Sequence, residues 1–459
     1  MIHAIRQKIL IPNSTLLRIA VLAGLAVMLL GIGFVTPRVP PELVLIAVAA
    51  PPVVLLALNR LEYGVLALLL TAAFVRASLP TGTQSRIVAS LLLTAALSGI
   101  WLGRMLVVEK RLHLKPTRTN VPVMGIIAVS IASYLWGNAF RDPLVMVWRT
   151  WPAVQLGALG VMVLLPCAFL LTVNCITETR WLKALYWIMV AIGAMSMILD
   201  FANLPGRFIN VGGLFSLWFV SLTYGQVLFN KKLPSAVRLG LALLLCGWLY
   251  RKFIVEVYWF SGWLPSLMAM GVITLLRSRK ALVVLLLIMI VYLGLNWNYY
   301  STFVLARESE ESGVTRLAAW EMNWQVTSRH LLLGTGPAGY AAYYMSYFPT
   351  RAMATHSNYI DILSQLGVVG LAFYLWFLAA LIVTGMKLRN RVKGEGDFVE
   401  GLAAGTLGGC IGLIVAMGLG DWVIPFVYTQ TIAGFDYALY GWMWLGAMVS
   451  LAHVRERRD

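Results

Sequence analysis

Long apolar stretches alternate with short polar segments along most of this chain. A helix needs about 20 mostly apolar residues to cross a bilayer, because lipid offers no partners for backbone polar groups. The pattern therefore predicts an all-α polytopic membrane protein with about fourteen spanning helices, or twelve if the shortest runs do not cross. The apolar runs begin near Leu16, Glu42, Leu61, Ile87, Val121, Ala153, Trp181, Ile209, Ala236, Gly262, Ala281, Tyr359, Phe398 and Thr431.

The composition supports this interpretation. Hydrophobic residues make up 60% of the 459 residues and charged residues only 12%, whereas a soluble domain carries about 25% charged residues. Such a chain has too few charged residues to form the surface of a soluble protein of its size. The composition therefore excludes a soluble enzyme, a disordered chain and a disulfide scaffold. The four cysteines all lie in apolar runs and form no CxxC or Cys/His cluster, so we expect neither a disulfide nor a metal site.

The net charge of +17 has two possible origins, nucleic-acid binding or membrane topology. If the N-terminus is cytoplasmic and the loops alternate, the inner loops hold 24 of the 36 basic residues and 8 acidic ones, a net +16. The outer face then has 12 basic and 11 acidic residues. This distribution predicts that both termini are cytoplasmic, and it gives no reason to expect nucleic acid as a partner.

One outer connection is long, from residue 300 to residue 358, and the sequence shows no linker, so we expect a single membrane domain over residues 1–459. Eleven of the twelve outer cations are arginine. The planar guanidinium binds phosphate oxygens in bidentate fashion, which suits a phosphorylated lipid, although any one arginine can also pair with a local acid. Arg207 and Arg251 stand out because each lies at the outer end of a span.

The long loop contains a helix, predicted over Val314–His330, whose Leu317, Trp320 and Trp324 recur on one face. We expect that face to lie on the helix bundle and Arg316, on the first turn, to be available to a ligand. A glycine turn follows, with Gly334, Gly336 and Gly339 in the order GxGxxG. It is either a plain tight turn or one whose backbone N–H groups face an anion.

The loop ends in Thr-His-Ser-Asn-Tyr-Ile-Asp, which leads directly into the next apolar run. Of the five histidines, only His330 and His356 are predicted to face outward. An imidazole can take a proton from a hydroxyl near neutral pH, so His356 is a candidate base, although a histidine at a membrane boundary is also often structural. Asp361 either orients His356 or is simply a polar residue at a helix start.

The run from Arg316 to Gly370 resembles the signature region of the bacterial O-antigen ligase and polymerase superfamily. The shared features are an arginine with a tryptophan four residues on, a GxGP-type turn, and His-x-Asn leading into a helix with Leu-Gly-x-x-Gly. In this chain they are Arg316, Trp320, Gly334, Gly336, Pro337, His356, Asn358, Leu366, Gly367 and Gly370.

The resemblance implies an enzyme of the bacterial inner membrane that transfers a glycan from a polyprenyl diphosphate carrier to an acceptor hydroxyl at the periplasmic face. It implies His356 in the acceptor step and outward arginines, here Arg207 and Arg251, as ligands of the diphosphate. From their positions we add Arg316 as a candidate diphosphate ligand and Gly334, Gly336, Asn358 and Asp361 as candidate supporting residues. No outer acidic pair has metal-ligand spacing, so we expect a metal-independent transferase without cofactors, and by resemblance an inverting one.

Three functions remain open at this point. A polymerase would join lipid-linked repeat units, so its acceptor would itself be a glycan on the carrier. A ligase would move a finished glycan to a lipid A–core or protein acceptor. The alternative, a transporter or flippase of the lipid-linked glycan, should show internal repeats and charges along a path inside the spans, and neither is evident by eye.

Overall fold

Helices dominate the computed structural model, which describes residues 60–81, 85–204, 209–255, 260–302, 314–348 and 354–456. The chain divides at Arg60, and residues Leu61–Asp459 form one unit by their own contacts. The predicted spans from Leu16 and Glu42 lie outside the described residues. So does Arg207, one of the predicted diphosphate ligands.

The helices in the described residues are α1 (Leu61–Phe74), α2 (Ala89–Gly103, continued by a π-helical turn, Arg104–Val108), α3 (Asn120–Ala139), α4 (Trp151–Cys175), α5 (Thr179–Phe201), α6 (Phe215–Phe229), α7 (Ser235–Tyr250, continued by a π-helical turn, Arg251–Val255), α8 (Phe260–Arg277), α9 (Arg279–Leu295), α10 (Trp297–Tyr300), α11 (Val314–Thr327), α12 (Gly339–Tyr347), α13 (Asn358–Arg391), α14 (Phe398–Leu419) and α15 (Gly434–Glu456). The two strands are β1 (Ser78–Pro80) and β2 (Arg86–Val88).

Each apolar run predicted from Leu61 onward contains a helix that begins within six residues of the expected start. Among the described residues, six helices are long and apolar enough to cross a membrane: Ala89–Val108, Asn120–Ala139, Trp151–Cys175, Thr179–Phe201, Asn358–Arg391 and Phe398–Leu419. A mostly helical multi-pass membrane protein is therefore supported. The figure of fourteen crossings stays a prediction.

The loops predicted to lie on one face of the membrane do meet at one end of the bundle. Lys115 donates through Nζ to the carbonyl oxygens of Val173 and Ile176, at the end of α4, and Ser450 of α15 donates to the same carbonyl of Ile176. The backbone N–H of Lys231 donates to Gly396 between α13 and α14. We call this the basic end, and its assignment to the cytoplasm remains a prediction.

The opposite end carries a small sheet that the all-helical prediction did not include. Strands β1 and β2 pair in antiparallel fashion, with Ser78 opposite Val88 and Pro80 opposite Arg86. Three-residue strands are too short to show the alternation of apolar and polar residues by which a strand is recognised. The hairpin joins α1 to α2.

The core is centred on α14, which packs between α6 and α8. Glycines recur along α14 and let these helices approach closely, as is common where helices pack without a hydrophobic driving force between them. A Cβ atom at Gly405 would lie 2.9 Å from the Cα of Leu222 in α6. α13 packs on α3, α14 and α15 at the edge of this core.

α13 is broken near its start, at Gly367, where φ is 68° and ψ is −170°. Residues 368–391 alone give about 36 Å of helix, enough to cross a bilayer. Residues 358–366 therefore form an extra helical segment before the spanning part. The residues predicted to be catalytic lie at the start of that segment.

Candidate active site around His356

His356 is exposed, although the three residues around it, Thr355, Ser357 and Asn358, are all buried. Its backbone φ is +51°, in the left-handed region that residues with a Cβ atom rarely adopt. Such a conformation persists only where the surrounding structure enforces it, and it is found preferentially at functional sites.

Thr355 is anchored from two directions. Its carbonyl oxygen accepts a 2.7 Å hydrogen bond from Nε1 of Trp320 in α11, and its hydroxyl donates to the carboxylate of Asp361, one turn into α13. The same carboxylate oxygen accepts a 2.7 Å bond from the hydroxyl of Tyr340. Asp361 also closes the helix start, since its N–H donates to the carbonyl of Ser357 at 2.9 Å.

Tyr340 is completely buried at the start of α12. Burial raises the pKa of its hydroxyl well above the usual range, and the Asp361 carboxylate raises it further. Tyr340 therefore stays protonated and donates to Asp361 at any physiological pH. Asp361 is thus hydrogen-bonded to both neighbours of His356, to Thr355 through its side chain and to Ser357 through its backbone.

Asn358 joins this segment to the connection between α14 and α15. Its Nδ2 donates to the carbonyl of Ile424 at 2.7 Å, and its Oδ1 accepts from the N–H of Val423 at 2.9 Å. Buried Asp421 in turn accepts from the N–H of Phe426 and the hydroxyl of Thr429. Asn358 is therefore a clamp between two distant segments, and its amide is occupied within the protein.

The glycine turn packs directly on the break in α13. The N–H groups of Thr335 and Gly336 donate to the carbonyl oxygens of Ser364 and Gln365, each at 3.0 Å. In return, the N–H of Val368 donates to the carbonyl of Leu331 at 2.7 Å. The hydrogen bonds that the helix loses at Gly367 are thus replaced by the preceding loop, as a break within a spanning protein requires.

Only glycine fits on either side of this contact. Gly334 has φ +69°, and a Cβ atom there would lie 2.4 Å from the carbonyl of Gln365. A Cβ atom at Gly367 would lie 2.3 Å from the carbonyl oxygen of Leu332. We refer to the pairing of residues 331–336 with residues 364–369 as the turn–helix splice.

The splice bears on the two alternatives that the sequence left open for the glycine turn. Gly334 donates its N–H to His330, Ala338 donates to the side chain of Gln365, and Gly339 donates to Gly336. Together with the bonds of Thr335 and Gly336, every N–H from residue 334 to residue 339 is used inside the chain. These N–H groups are therefore paired within the protein, which favours the plain tight turn, and Gly334 and Gly336 lie at the contact between this turn and α13.

α11 also differs from its prediction. It ends at Thr327, three residues earlier than expected, and two of the three residues of its predicted apolar face are exposed, Leu317 at 65% and Trp324 at 55%, while Trp320 contacts Thr355. The buried face instead holds Asn323 and Thr327, which form a hydrogen-bonded group with Ser364 of α13. The same face also holds buried Ala319, Met322 and Val326 at i, i+3 and i+7, so the helix has two apolar stripes, and the one with smaller side chains is the one that packs on the bundle.

The predicted arginines lie in different places. Arg316 occupies the first turn of α11, four residues and thus about one turn before Trp320, on the side of the helix that reaches Thr355. Arg251, at the end of α7, forms an ion pair with Asp200 at the end of α5. Arg316 therefore lies about one turn before the residue that contacts Thr355, and Arg251 lies at the ends of α5 and α7, paired with Asp200.

The described residues resume at Ile209, two residues after Arg207, and the contacts of this segment are defined. The carbonyl of Ile209 accepts a 2.9 Å bond from Arg76, and a Cβ atom on Gly213 would come within 3.5 Å of the ring of Trp422. Trp422 directly precedes Val423, which Asn358 holds. The residues after Arg207 thus adjoin the same connection that contacts the His356 segment.

The sequence did not identify Tyr340, Thr355 or Phe426 as part of this site. Phe426 stacks on Tyr340 with ring centroids 4.6 Å apart. The only available signal was the position of Thr355 and Tyr340 beside motif residues. Within the described residues, no group of three or more His, Cys, Asp or Glu side chains is arranged to hold a metal ion.

The site thus presents one exposed imidazole on a rigid backbone, with an arginine about one helical turn from the tryptophan that holds it. Comparison with known families adds to this geometry. Residues 235–375 match the family model described as O-antigen ligase, slightly under a third of the chain. A comparison with curated proteins gave no match.

The matched residues contain the whole run from Arg316 to Gly370, so the resemblance drawn from those residues is confirmed. Together with the apolar helices, it supports a multi-pass membrane protein with glycosyl-transfer activity of the O-antigen ligase or polymerase type.

Proposed function

We propose that this chain, which carries an O-antigen ligase domain at residues 235–375, transfers a glycan from a polyprenyl diphosphate carrier to an acceptor hydroxyl at the periplasmic face of the bacterial inner membrane. The acceptor oxygen attacks the anomeric carbon, the bond from that carbon to the diphosphate oxygen breaks, and the acceptor proton passes to His356. Attack opposite the leaving group inverts the anomeric centre. No metal or cofactor is needed in this scheme.

The observation that carries the proposal is the exposed His356 at φ +51° between buried, anchored neighbours. A general base must be held within hydrogen-bond reach of the proton it takes, and a rigid backbone supplies that positioning in advance. Trp320 of α11 and Asp361 of α13 bond to Thr355, and Asn358 at the start of α13 bonds to the connection between α14 and α15. A merely structural surface histidine would not need three anchors.

The leaving diphosphate needs positive charge where its own negative charge develops. Arg316 is the best placed of the described arginines, since its helix contacts the residue before His356. Arg207 is the second ligand in this proposal, because the residues after it adjoin the connection that Asn358 clamps. Arg251 has a smaller role here, since its guanidinium is already paired with Asp200.

A ligase and a polymerase use the same chemistry and differ in the acceptor, lipid A–core in the first and a lipid-linked glycan in the second. Transport of the lipid is not favoured by the break in α13. Discontinuous helices in transporters expose backbone groups to a substrate, but here the splice occupies the groups at the break.

The test is glycan transfer by the purified protein, with a polyprenyl diphosphate-linked donor and an acceptor. His356→Ala should lower kcat by a factor of about 100 or more, since general base catalysis contributes about 10²–10⁴. His330→Ala is the matched control, because His330 is the other outward histidine and should retain most activity. Transfer by His356→Ala at the wild-type rate would overturn the role of His356.

Deletion of the gene then separates the remaining functions. Long glycans accumulating on the carrier indicate a ligase, and single units facing outward indicate a polymerase. Single units trapped on the cytoplasmic side indicate a flippase and contradict the proposal.

A further inference from the structure

A cavity of about 490 Å³ lies at the basic end of the bundle, at the opposite end from the proposed active site. Four elements supply its lining. Lys183 belongs to α5, Lys232 to the connection between α6 and α7, Asp397 to the residue before α14, and Arg455 to the last turn of α15. The proposed reaction uses none of these side chains.

The cavity is surrounded by three cations from three different elements. Nζ of Lys183 lies 5.6 Å from the centroid of an aromatic ring. Nζ of Lys232 is 3.9 Å from the Asp397 carboxylate, and Arg455 forms an ion pair with Glu395. Three positive and two negative groups leave one net positive charge. A ligand with a single negative charge, such as a phosphodiester, would balance it.

Asn230 lines the same cavity and is only 4% exposed. Its Nδ2 donates at 2.8 Å to Oε1 of Gln226, whose Nε2 donates at 2.9 Å to the carbonyl of Phe398. Because a carbonyl can only accept, this series fixes which atom of each amide is the donor. Oδ1 of Asn230 has no hydrogen-bond partner among the described residues. A ligand that satisfies it must bring a donor of its own.

Two further buried groups in this lining are able to donate. Oγ1 of Thr179 and Nε of Arg455 are both buried, and neither has a hydrogen-bond partner in the described part of the chain. Leaving such groups unpaired is costly, and phosphate oxygens can accept from both of them. The cavity therefore suits a molecule that combines acceptor oxygens with at least one hydroxyl or amine.

An apolar strip leads from the cavity along α5. Trp187 lines the cavity and is 40% exposed. Ala191, Met195 and Ile198 follow at intervals of four, four and three residues and are exposed as well, so the four side chains share one helix face. The strip is about 16 Å long, close to half of the roughly 30 Å hydrocarbon core of a bilayer. This length suits an acyl chain of one leaflet.

We propose that the cavity binds the headgroup of a phospholipid that has one phosphodiester and a free hydroxyl, the chemistry of phosphatidylglycerol. The phosphate oxygens contact Lys183, Lys232 and Arg455, and a glycerol hydroxyl donates to Asn230. Phosphatidylcholine has neither the net charge nor the donor, and phosphatidylethanolamine has donors but no net charge. Binding at this site does not depend on glycan transfer.

The first test uses the full chain in detergent, with dioctanoyl phosphatidylglycerol as the probe and calorimetric titration as the measurement. Replacing Lys183 and Lys232 by glutamine should weaken binding about tenfold or more, because two charged partners of the phosphate are lost. Lys387 and Lys393 are exposed at the same end and lie outside the cavity. Their double replacement by glutamine removes the same charge and should bind like the wild type. Equal affinity of all three proteins, or an equal loss in both variants, would overturn the proposal.

Two comparisons identify the source of the headgroup. Glycerophosphoglycerol, the headgroup without acyl chains, should bind about tenfold or more weakly than the lipid, because it cannot contact the strip on α5. Equal affinity would show that the site takes a soluble phosphate ester. Dioctanoyl phosphatidylcholine and phosphatidylethanolamine should compete poorly. If either competed as well as phosphatidylglycerol, the charged headgroup would not be what the cavity recognises.

A photoreactive amino acid at position 187 locates the lipid within a bilayer. Trp376 on α13 is 49% exposed and lies outside the cavity, so position 376 is the matched control. In nanodiscs with equal amounts of phosphatidylglycerol and phosphatidylcholine, position 187 should cross-link mainly phosphatidylglycerol, while position 376 should show no preference. The same ratio of the two lipids at both positions would contradict a selective site.

Discussion

The indole N–H of Trp320 donates a 2.7 Å hydrogen bond to the carbonyl oxygen of Thr355, the residue immediately before His356. This bond connects α11, which carries Arg316, to the backbone that carries the proposed base. The two charged groups of the proposed reaction are thereby placed by one contact. Their relative position should depend on it.

Trp320→Phe should therefore lower kcat about fivefold with little change in KM, since a single hydrogen bond contributes about 1 kcal/mol. The measurement is steady-state glycan transfer. Trp324→Phe is the matched control, because Trp324 lies on the same helix and is 55% exposed. Equal rates for the two variants would show that the Thr355 contact does not position the site.

Tyr340→Phe should destabilise the protein by about 1–3 kcal/mol, because it removes one of two donors from the buried carboxylate of Asp361. The measurement is reversible unfolding in detergent. Tyr347→Phe removes the same type of bond, from Tyr347 to Asp142 at 2.6 Å. That pair is exposed to water, so its loss should leave stability near that of the wild type. A similar loss in both variants would contradict the importance of burial at Asp361.

The turn–helix splice predicts a large effect of adding a single methyl group. Gly334→Ala and Gly367→Ala should each cost about 3 kcal/mol or more, because a strained φ is combined with a backbone clash. Gly394→Ala separates the two causes, since φ there is +92° but no atom lies within 4 Å of a Cβ. It should cost about 1–2 kcal/mol. The comparison is made by thermal unfolding, and equal losses at all three positions would show that the clash contributes nothing.

His330 predicts a pH dependence of stability. Burial against Tyr343, with ring centroids 5.0 Å apart, lowers the pKa of His330 below its usual value of 6.5. The unfolded chain then binds a proton at a higher pH than the folded one, so stability falls as the pH drops below 6.5 towards the lowered pKa. His330→Gln should remove this part of the fall in Tm between about pH 7 and pH 5. If the dependence of Tm on pH were the same in the variant and the wild type, His330 would not cause this part of the fall in stability.

The helices followed from the sequence because each one is a long apolar run, and this property is local. The same reasoning failed for α11, where Asn323 and Thr327 face inward to meet Ser364. The buried face also contains Ala319, Met322 and Val326, so the helix carries two apolar stripes, and hydropathy alone selected the wrong one. The orientation of such a helix depends on a partner that lies far along the chain.

Prediction of the site from the sequence is limited in the same way. His356, Asn358 and Asp361 were proposed because they lie together in one motif, and Arg316 because it stands in the preceding helix. The contacts that give them their roles are distant in sequence, such as the bond from Asn358 to Ile424. Spacing within a motif contains no information on such partners. For the same reason, the sequence left open whether the turn at Gly336 is a plain tight turn or faces an anion, and its N–H bonds to Gln365.

The splice has a consequence for biosynthesis. Residues 331–336 leave the ribosome before residues 364–369, so the donors for the carbonyls of Ser364 and Gln365 already exist when α13 is made. Without them, α13 would enter lipid with unpaired carbonyls at its break, which a bilayer penalises strongly. The loop before α13 therefore supplies the hydrogen-bond donors that the break in this helix needs when it enters the membrane. The order of the two segments along the chain is then part of how the protein reaches its native state.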